Sequence, residues 1–271
     1  MNASELMENL RAGRHVFGTL IVSPSPRWPE VVRGCGLDFV FIDTEHIALD
    51  RAQLSWMCQT YAALGLAPIV RIPAPDPFAA TMALDGGAAG VIAPYVENAG
   101  QVRALRGAVK LRPIKGQMLQ QLLEGQESEP HLDAYLRRGA KDRLLIVNIE
   151  SLPAIAALDE ILAVPGLDAV LIGPHDLSCS LGMPEQYDRP EFLAACETIF
   201  HKARAAGLGA GIHFWGTVEE QAHFLALGAN MLIHSADITL FQKHLRLELD
   251  AVKKAAGIAR TADARAGVVN I

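Results

Sequence analysis

Cysteine is scarce: the chain has four in 271 residues, Cys35, Cys58, Cys179 and Cys196, with no C-x-x-C pair and no histidine at zinc-finger spacing. Scattered thiols exclude a disulfide framework or a thiolate zinc centre and fit a reducing, cytoplasmic setting. Basic runs interleaved with aromatics are also lacking; 24 Lys and Arg stand against 30 Asp and Glu, a net charge of −6, so nucleic acid is not an expected partner. No stretch reaches the roughly 18 consecutive apolar residues that a membrane helix needs. Even the oily stretch from Ile161 to Ile172 is broken by Pro165, Gly166 and Asp168. The opening MNASELMENLRAGRH is charged and has no apolar core, so no export signal is expected. Glycine-rich phosphate loops are missing in both forms, G-x-G-x-x-G and G-x-x-x-x-G-K-[ST], which removes the usual mark of a dinucleotide-binding open sheet.

What the chain does have is apolar material, 51% of residues, with only 20% charged, enough for a large core. Short β-branched runs alternate with longer segments of helical period about eight times. The predicted strands are 16–22, 39–42, 69–72, 90–93, 144–149, 169–172, 209–214 and 231–234. Most lack polar alternation, as parallel strands covered on both faces do. Predicted helices lie between or after them, at 27–34, 51–64, 77–84, 98–108, 152–163, 190–206, 218–226 and 240–255. Glycines at 65, 86, 87, 107, 166, 207 and 228 fall where each helix must stop. The pattern predicts an α/β fold, a (β/α)8 TIM barrel forming one domain over residues 1–255, in preference to an open doubly wound sheet. The long connection 110–142 is read as a lid, a subunit contact or a mobile loop, and the tail 256–271 as a frayed or oligomer-docking terminus.

Barrel chemistry gathers at the carboxyl ends of strands, so polar residues directly after the apolar runs are the candidates. Strand two ends in Asp43-Thr44-Glu45-His46, strand three in Arg71, strand five in Asn148-Ile149-Glu150, and strand six in Gly173-Pro174-His175-Asp176. Strand seven brings His213, and strand eight Ser235 and Asp237. Glu150 and Asp176 lie one βα unit apart, and two such carboxylates suit an oxygen-ligated divalent ion such as Mg²⁺ or Mn²⁺. The plain alternative makes Glu150 an acid favouring a helix dipole and Asp176 a cap. His46, beside two acids, is a candidate general base, or a surface histidine. Arg71 suits a carboxylate or a developing oxyanion, or else an ordinary ion pair with Asp43 or Glu45. The Gly173-Pro174 turn leaves an exposed amide for a substrate carboxylate. His213 and His234 are read as core or rim histidines, and no cysteine is assigned as a nucleophile.

Taken together, FIDTEH (41–46), VRIP (70–73), LDGGAAGVIAPYVENA (84–99), VNIES (147–151) and GLDAVLIGPHDLSCSLG (166–182) resemble the metal-dependent 4-hydroxy-2-oxoheptanedioate aldolase/citrate lyase family, from about residue 18 to about residue 237. The resemblance implies a class II aldolase that cleaves a 4-hydroxy-2-oxo acid to pyruvate and an aldehyde through a metal-bound enolate. It implies a divalent cofactor, Mg²⁺, Mn²⁺ or Co²⁺, on Glu150 and Asp176, with Arg71 on the pyruvate keto oxygen and His46 as the base. Asp85 matches a carboxylate that orients the base from an adjacent subunit, Asp43 a neighbour of the same site, and the 173–176 turn the pocket for the pyruvate carboxylate. A homohexamer, a trimer of dimers exchanging its last helix, is the implied assembly. The chain departs from the family in carrying Asn148 for Gln, His175 for Ala and His213 for an aliphatic residue. A P-P-x-G-x-R-G stretch survives only as Arg112-Pro113-Ile114-Lys115-Gly116, and Leu20 replaces a tryptophan near strand one. The pyruvate half of the site is thus expected to be retained and the acceptor half altered, with Asn148, Gly173, Pro174, His175 and His213 against substrate. Two alternatives stay open: the same enolate chemistry on another electrophile, as in a decarboxylase or CoA-thioester lyase, and a non-catalytic barrel that binds a 2-oxo acid.

Overall fold

Eight runs of aliphatic residues pair side by side, all parallel, until the last meets the first. The computed structural model of the chain describes residues 1–258. In chain order the elements begin with α1 (Ala3–Arg11), β1 (Val16–Ile21), α2 (Trp28–Arg33), β2 (Phe39–Asp43), α3 (Arg51–Ala63), β3 (Ala67–Arg71), α4 (Pro77–Asp85) and β4 (Gly90–Ala93). The long connection follows as α5 (Ala99–Lys110), α6 (Gly116–Leu123) and α7 (Pro130–Ala140). The remainder is β5 (Leu144–Asn148), α8 (Leu152–Ala156), α9 (Leu158–Leu162), β6 (Ala169–Ile172), α10 (Pro174–Ser180), α11 (Pro190–Ala205), β7 (Gly209–Phe214), α12 (Val218–Ala226), β8 (Met231–Ala236) and α13 (Asp237–Ala255). This is the closed (β/α)8 barrel that the sequence predicts.

Alternation along each strand divides the core into two layers. Leu20, Phe39, Phe41, Ile69, Ile146, Leu171 and Ile233 belong to the packed barrel interior. Their neighbours Ile21, Val40, Ile42, Val70, Leu145, Val147 and Val170 pack under the helices. Large interior side chains need small neighbours: a β-carbon added at Gly18 would stand 2.5 Å from the ring of Phe39 on the adjoining strand.

The amino-terminal end of the barrel is stoppered by α1, a helix not among those predicted. Its Leu6 and Leu10 are fully buried with the interior residues. Arg204 Nη1 and Asn230 Nδ2 donate to the Leu10 carbonyl at 2.7 and 2.9 Å. Asn2 and Glu5 form a capping box at its start.

The 110–142 connection is largely helical, in α6 and α7, where the sequence reading left a lid, a contact or a mobile loop. Gly107 of α5 lets Leu119 and Leu123 of α6 come close, and the arch lies at the end of the barrel opposite the strand carboxyl ends. It does not cover the mouth of its own chain. The single helix predicted over 152–163 is split at Ala157 into α8 and α9, and α10 was not predicted. Of the 256–271 tail, residues 259–271 lie outside the described residues. Among the described residues no helix is long and apolar enough to cross a membrane.

Candidate active site

The strand register sets the first pair. Asp43, last in β2, lies directly across from Arg71, last in β3. Arg71 Nε donates to Asp43 Oδ1 at 2.9 Å and Nη2 to Oδ2 at 2.7 Å, a two-point contact on a fully buried carboxylate. Burial would raise the Asp43 carboxyl, but the hydrogen bonds and charge of Arg71, with the Glu45 amide, outweigh it and hold the group below its ordinary range. Burial likewise opposes the Arg71 charge, and Asp43, Glu45 and Glu150 outweigh that too. Glu45 Oε2 sits 3.1 Å from Arg71 Nε, and the Arg71 guanidinium also lies 5.4 Å from the centre of the Phe41 ring. The ion-pair alternative for Arg71 is therefore present, and it fixes the guanidinium in the wall of a cavity of about 270 Å³ at the barrel mouth.

The second group is acidic. Glu150, just past β5, is 6% exposed and accepts from the Tyr95 backbone N–H at 2.7 Å and from Asn148 Nδ2 at 2.8 Å. Tyr95 follows β4 in the left-handed region, φ 56°, which turns its N–H toward Glu150. Burial pushes the Glu150 carboxyl up, and the nearby charges of Asp176 and Glu45 add to this against the two hydrogen bonds. Asp176 lies in the first turn of α10, exposed to the mouth, while Gly173 is that helix's N-cap and no side chain caps it. Asp176 is thus not the cap that the plain alternative required.

Whether this pair suits a divalent cation is answered by Gly173. A β-carbon there would meet Glu150 Oε2 at 2.6 Å and Asp176 Oδ2 at 3.6 Å, so the two carboxylates flank one point and only glycine leaves it open. The side-chain oxygen Oδ1 of Asn148, buried and without a hydrogen-bond partner, adds a further acceptor at the cavity wall. Among the described residues no three His, Cys, Asp or Glu side chains converge as a ligand set. Two carboxylates with water and substrate completing the shell match the way Mg²⁺-type ions bind, so the donors present fit such an ion.

The mouth is rimmed by histidines and a tryptophan. His46 is half-exposed, with Nε2 3.7 Å from Glu45 Oε1. His175 is exposed on α10, its Nδ1 3.8 Å from Glu185 Oε1. His213 is buried; Nε2 lies 3.0 Å from the Ser235 carbonyl, which makes that nitrogen the donor. Burial drives the His213 imidazole down to about 4, with the Arg71 charge assisting, so the ring is neutral near pH 7. Trp215, one residue past β7, stacks edge-on against His213 with ring centres 5.6 Å apart. His46, Arg71, Asn148, Gly173, Pro174 and Asp176 line the same cavity as His175, His213 and Trp215. Asp43 and Glu150 stand directly behind it. Asp85 does not join them: it ends α4, at the other end of the barrel, where it pairs with Arg112 of its own chain.

Residues 18–243 match the family described as HpcH/HpaI aldolase/citrate lyase. The chain belongs to this family. It is 31% identical over 237 residues to the 2-dehydro-3,6-dideoxy-6-sulfogluconate aldolase of Pseudomonas putida, covering 88% of this chain and 92% of that protein. It is also 31% identical over 240 residues to the hydroxypyruvate/pyruvate aldolase of Pseudomonas aeruginosa, covering 88% and 89%. The solved structure of the citrate synthase SbnG superposes with a TM-score of 0.79 at 28% identity, covering 93% of this chain and 98% of that one. As a member of the HpcH/HpaI family, the chain is a carbon–carbon lyase of aldolase type.

Two residues of this family member's site, Tyr95 and Trp215, had no assigned role in the sequence; Glu45 was offered as an alternative ion-pair partner of Arg71, and it takes that place beside Asp43. Tyr95 acts through a backbone conformation that its residue type disfavours, and Trp215 follows the same strand-end rule that selected His213. The Tyr95 hydroxyl bonds Glu45, and with burial and the neighbouring acids this pushes the phenol up to about 12.

Proposed function

We propose that the chain is a divalent-metal-dependent aldolase that cleaves a 4-hydroxy-2-oxo acid to pyruvate and an aldehyde. The observation that carries this reading is the Gly173 gap flanked by Glu150 and Asp176, beside an Arg71 held in place by Asp43. A divalent ion, Mg²⁺, Mn²⁺ or Co²⁺, bound by Glu150 and Asp176 supplies an electron sink at the 2-oxo group. The 173–176 turn takes the substrate carboxylate. Arg71, its orientation fixed in advance, faces the negative charge that grows on the keto oxygen. His46, at the rim, removes the proton of the C4 hydroxyl. The C3–C4 bond then breaks, the aldehyde departs, and its bonding pair becomes the enolate of pyruvate, which is protonated at C3.

Asp85 orients His46 in this reading from an adjacent protomer, because within its own chain it lies at the wrong end of the barrel. A homohexamer, a trimer of dimers, supplies that neighbour. The acceptor side falls to Asn148, His175, His213 and Trp215, a more polar wall than an aliphatic one, which suits a polar aldehyde.

Pyruvate release from a panel of 4-hydroxy-2-oxo acids is the test, run after EDTA and after readdition of Mg²⁺, Mn²⁺ or Co²⁺. Metal-restored pyruvate formation that Glu150→Ala abolishes is the expected result; wild-type turnover by that variant overturns the metal assignment. A second reading, the same enolate chemistry on another electrophile, is favoured by the likeness to a citrate synthase. Carbon dioxide release or CoA binding, without pyruvate from any hydroxy-oxo acid, would select it.

A further inference from the structure

A second cavity, of about 860 Å³, opens at the opposite end of the barrel, bounded by α1, α5 and the α6–α7 arch. Its volume lies in the range of about 300–1,000 Å³ usual for small-molecule sites. Five cations line it, Arg11, Arg106, Lys110, Arg137 and Lys141, against two acids, Glu127 and Asp133. Arg137 is answered by Asp133 at 2.6 Å. Arg11 and Lys110 share one buried carboxylate, Asp168, at 2.9 and 2.5 Å.

Arg106 is answered by nothing: among the described residues no carboxylate pairs with it. It stands one helical turn before Lys110 on α5, with its stem against Gly166. Half-burial acts against its charge, and no acid offsets that. Lys141, just past α7 and exposed, likewise has no ion-pair partner among the described residues.

The roof is lightly held. Helix α6 buries no residue and α7 buries only Leu136, so the arch has little apolar contact to fix it. An anion bridging Arg106 of α5 and Lys141 past α7 would close that gap and offset the surplus charge at once.

We propose that this cavity is a binding site for a multiply charged small anion, a phosphate ester or a polycarboxylate, separate from the barrel mouth. Arg106 is its central contact, Lys141 its contact from the arch, and Arg11 contributes at the α1 side.

The test uses the full chain treated with EDTA, titrated by calorimetry with inorganic pyrophosphate and, in a second arm, with citrate. Hydrogen exchange is followed over residues 116–140. Saturable binding is expected with at least one anion, together with slower exchange in the arch. Arg106→Gln should weaken binding by about tenfold or more, remove the added protection, and leave Tm and lyase turnover as in the wild type. Lys141→Gln, on an exposed position, should weaken binding without risk to the fold. Pyrophosphate alone would assign a phosphate ester, citrate alone a polycarboxylate. Binding of neither anion, equal affinity in both variants, or unchanged exchange in the arch would overturn the proposal.

Discussion

Gly173 and Glu150 approach so closely that position 173 has no room for a β-carbon; one built there would stand 2.6 Å from Glu150 Oε2. The backbone at Gly173, φ −86°, accepts any residue, so the constraint comes from the carboxylate and not from the main chain. Gly173→Ala should therefore fold normally while pushing Glu150 out of line. Divalent affinity, read by calorimetry with Mn²⁺, should fall by about 10–100-fold. Unchanged affinity would remove Glu150 from the metal site.

Asp43 and Arg71 form one unit, and charge alone should not replace it. Arg71→Lys keeps the cation but loses the two-point contact, and Asp43→Asn keeps the shape but loses the charge that orients it. Each should lower kcat/KM by about 10²–10³-fold. Steady-state kinetics on a pyruvate-yielding substrate decides this, and a lysine variant within a factor of about three of wild type would show that position matters little here.

His213 gives the stability curve a feature at mildly acidic pH. Its folded-state value, about 4, lies below the ordinary 6.5. Between these two values the unfolded chain binds a proton that the folded chain does not, so stability is complete above about pH 6.5 and falls as pH drops toward 4. The loss is at most of order 3 kcal/mol. Urea unfolding at pH 7, 5.5 and 4.5, compared with His213→Gln, should show a smaller acid loss in the variant; parallel curves would contradict a neutral buried ring.

The α1 stopper should matter for stability and not for chemistry. Leu10→Ala removes a fully buried side chain from the barrel floor and should destabilise by about 2–5 kcal/mol. Turnover per folded molecule, measured well below the unfolding midpoint, should stay at the wild-type value. Loss of kcat in the folded variant would mean that the floor and the mouth are coupled.

The strands were legible because parallel strands covered on both faces leave continuous apolar runs, and the polar residues at the ends of those runs led to Asp43, Arg71, Asn148 and Glu150. Helix α1 was missed although its signal was present, in Asn2 and Glu5 as a capping box and in Leu6 and Leu10 on one face. The split at Ala157 was not readable, because good helix formers lie on both sides of it. Tyr95 illustrates a firmer limit. Its contribution is an N–H aimed by a positive φ, and nothing in the letters Pro94-Tyr95-Val96 specifies that angle. Asp85 shows another limit: its proposed role is across protomers, and within its own chain it stands apart from the site, paired with Arg112.

The seam between β1 and β8 joins residues more than two hundred positions apart. Thr19 Oγ1 donates to the His234 carbonyl at 2.7 Å, and the Asp237 carboxylate accepts from the amides of Val22 and Ser23. Until β8 adds between them, β1 and β7 are both raw edges, and the floor that α1 fills has no far wall. Synthesis on the ribosome therefore passes through a long interval in which most of the barrel exists but cannot seal. A stop codon anywhere before β8 would release a sticky half-cylinder, so late nonsense mutations should be as damaging as early ones.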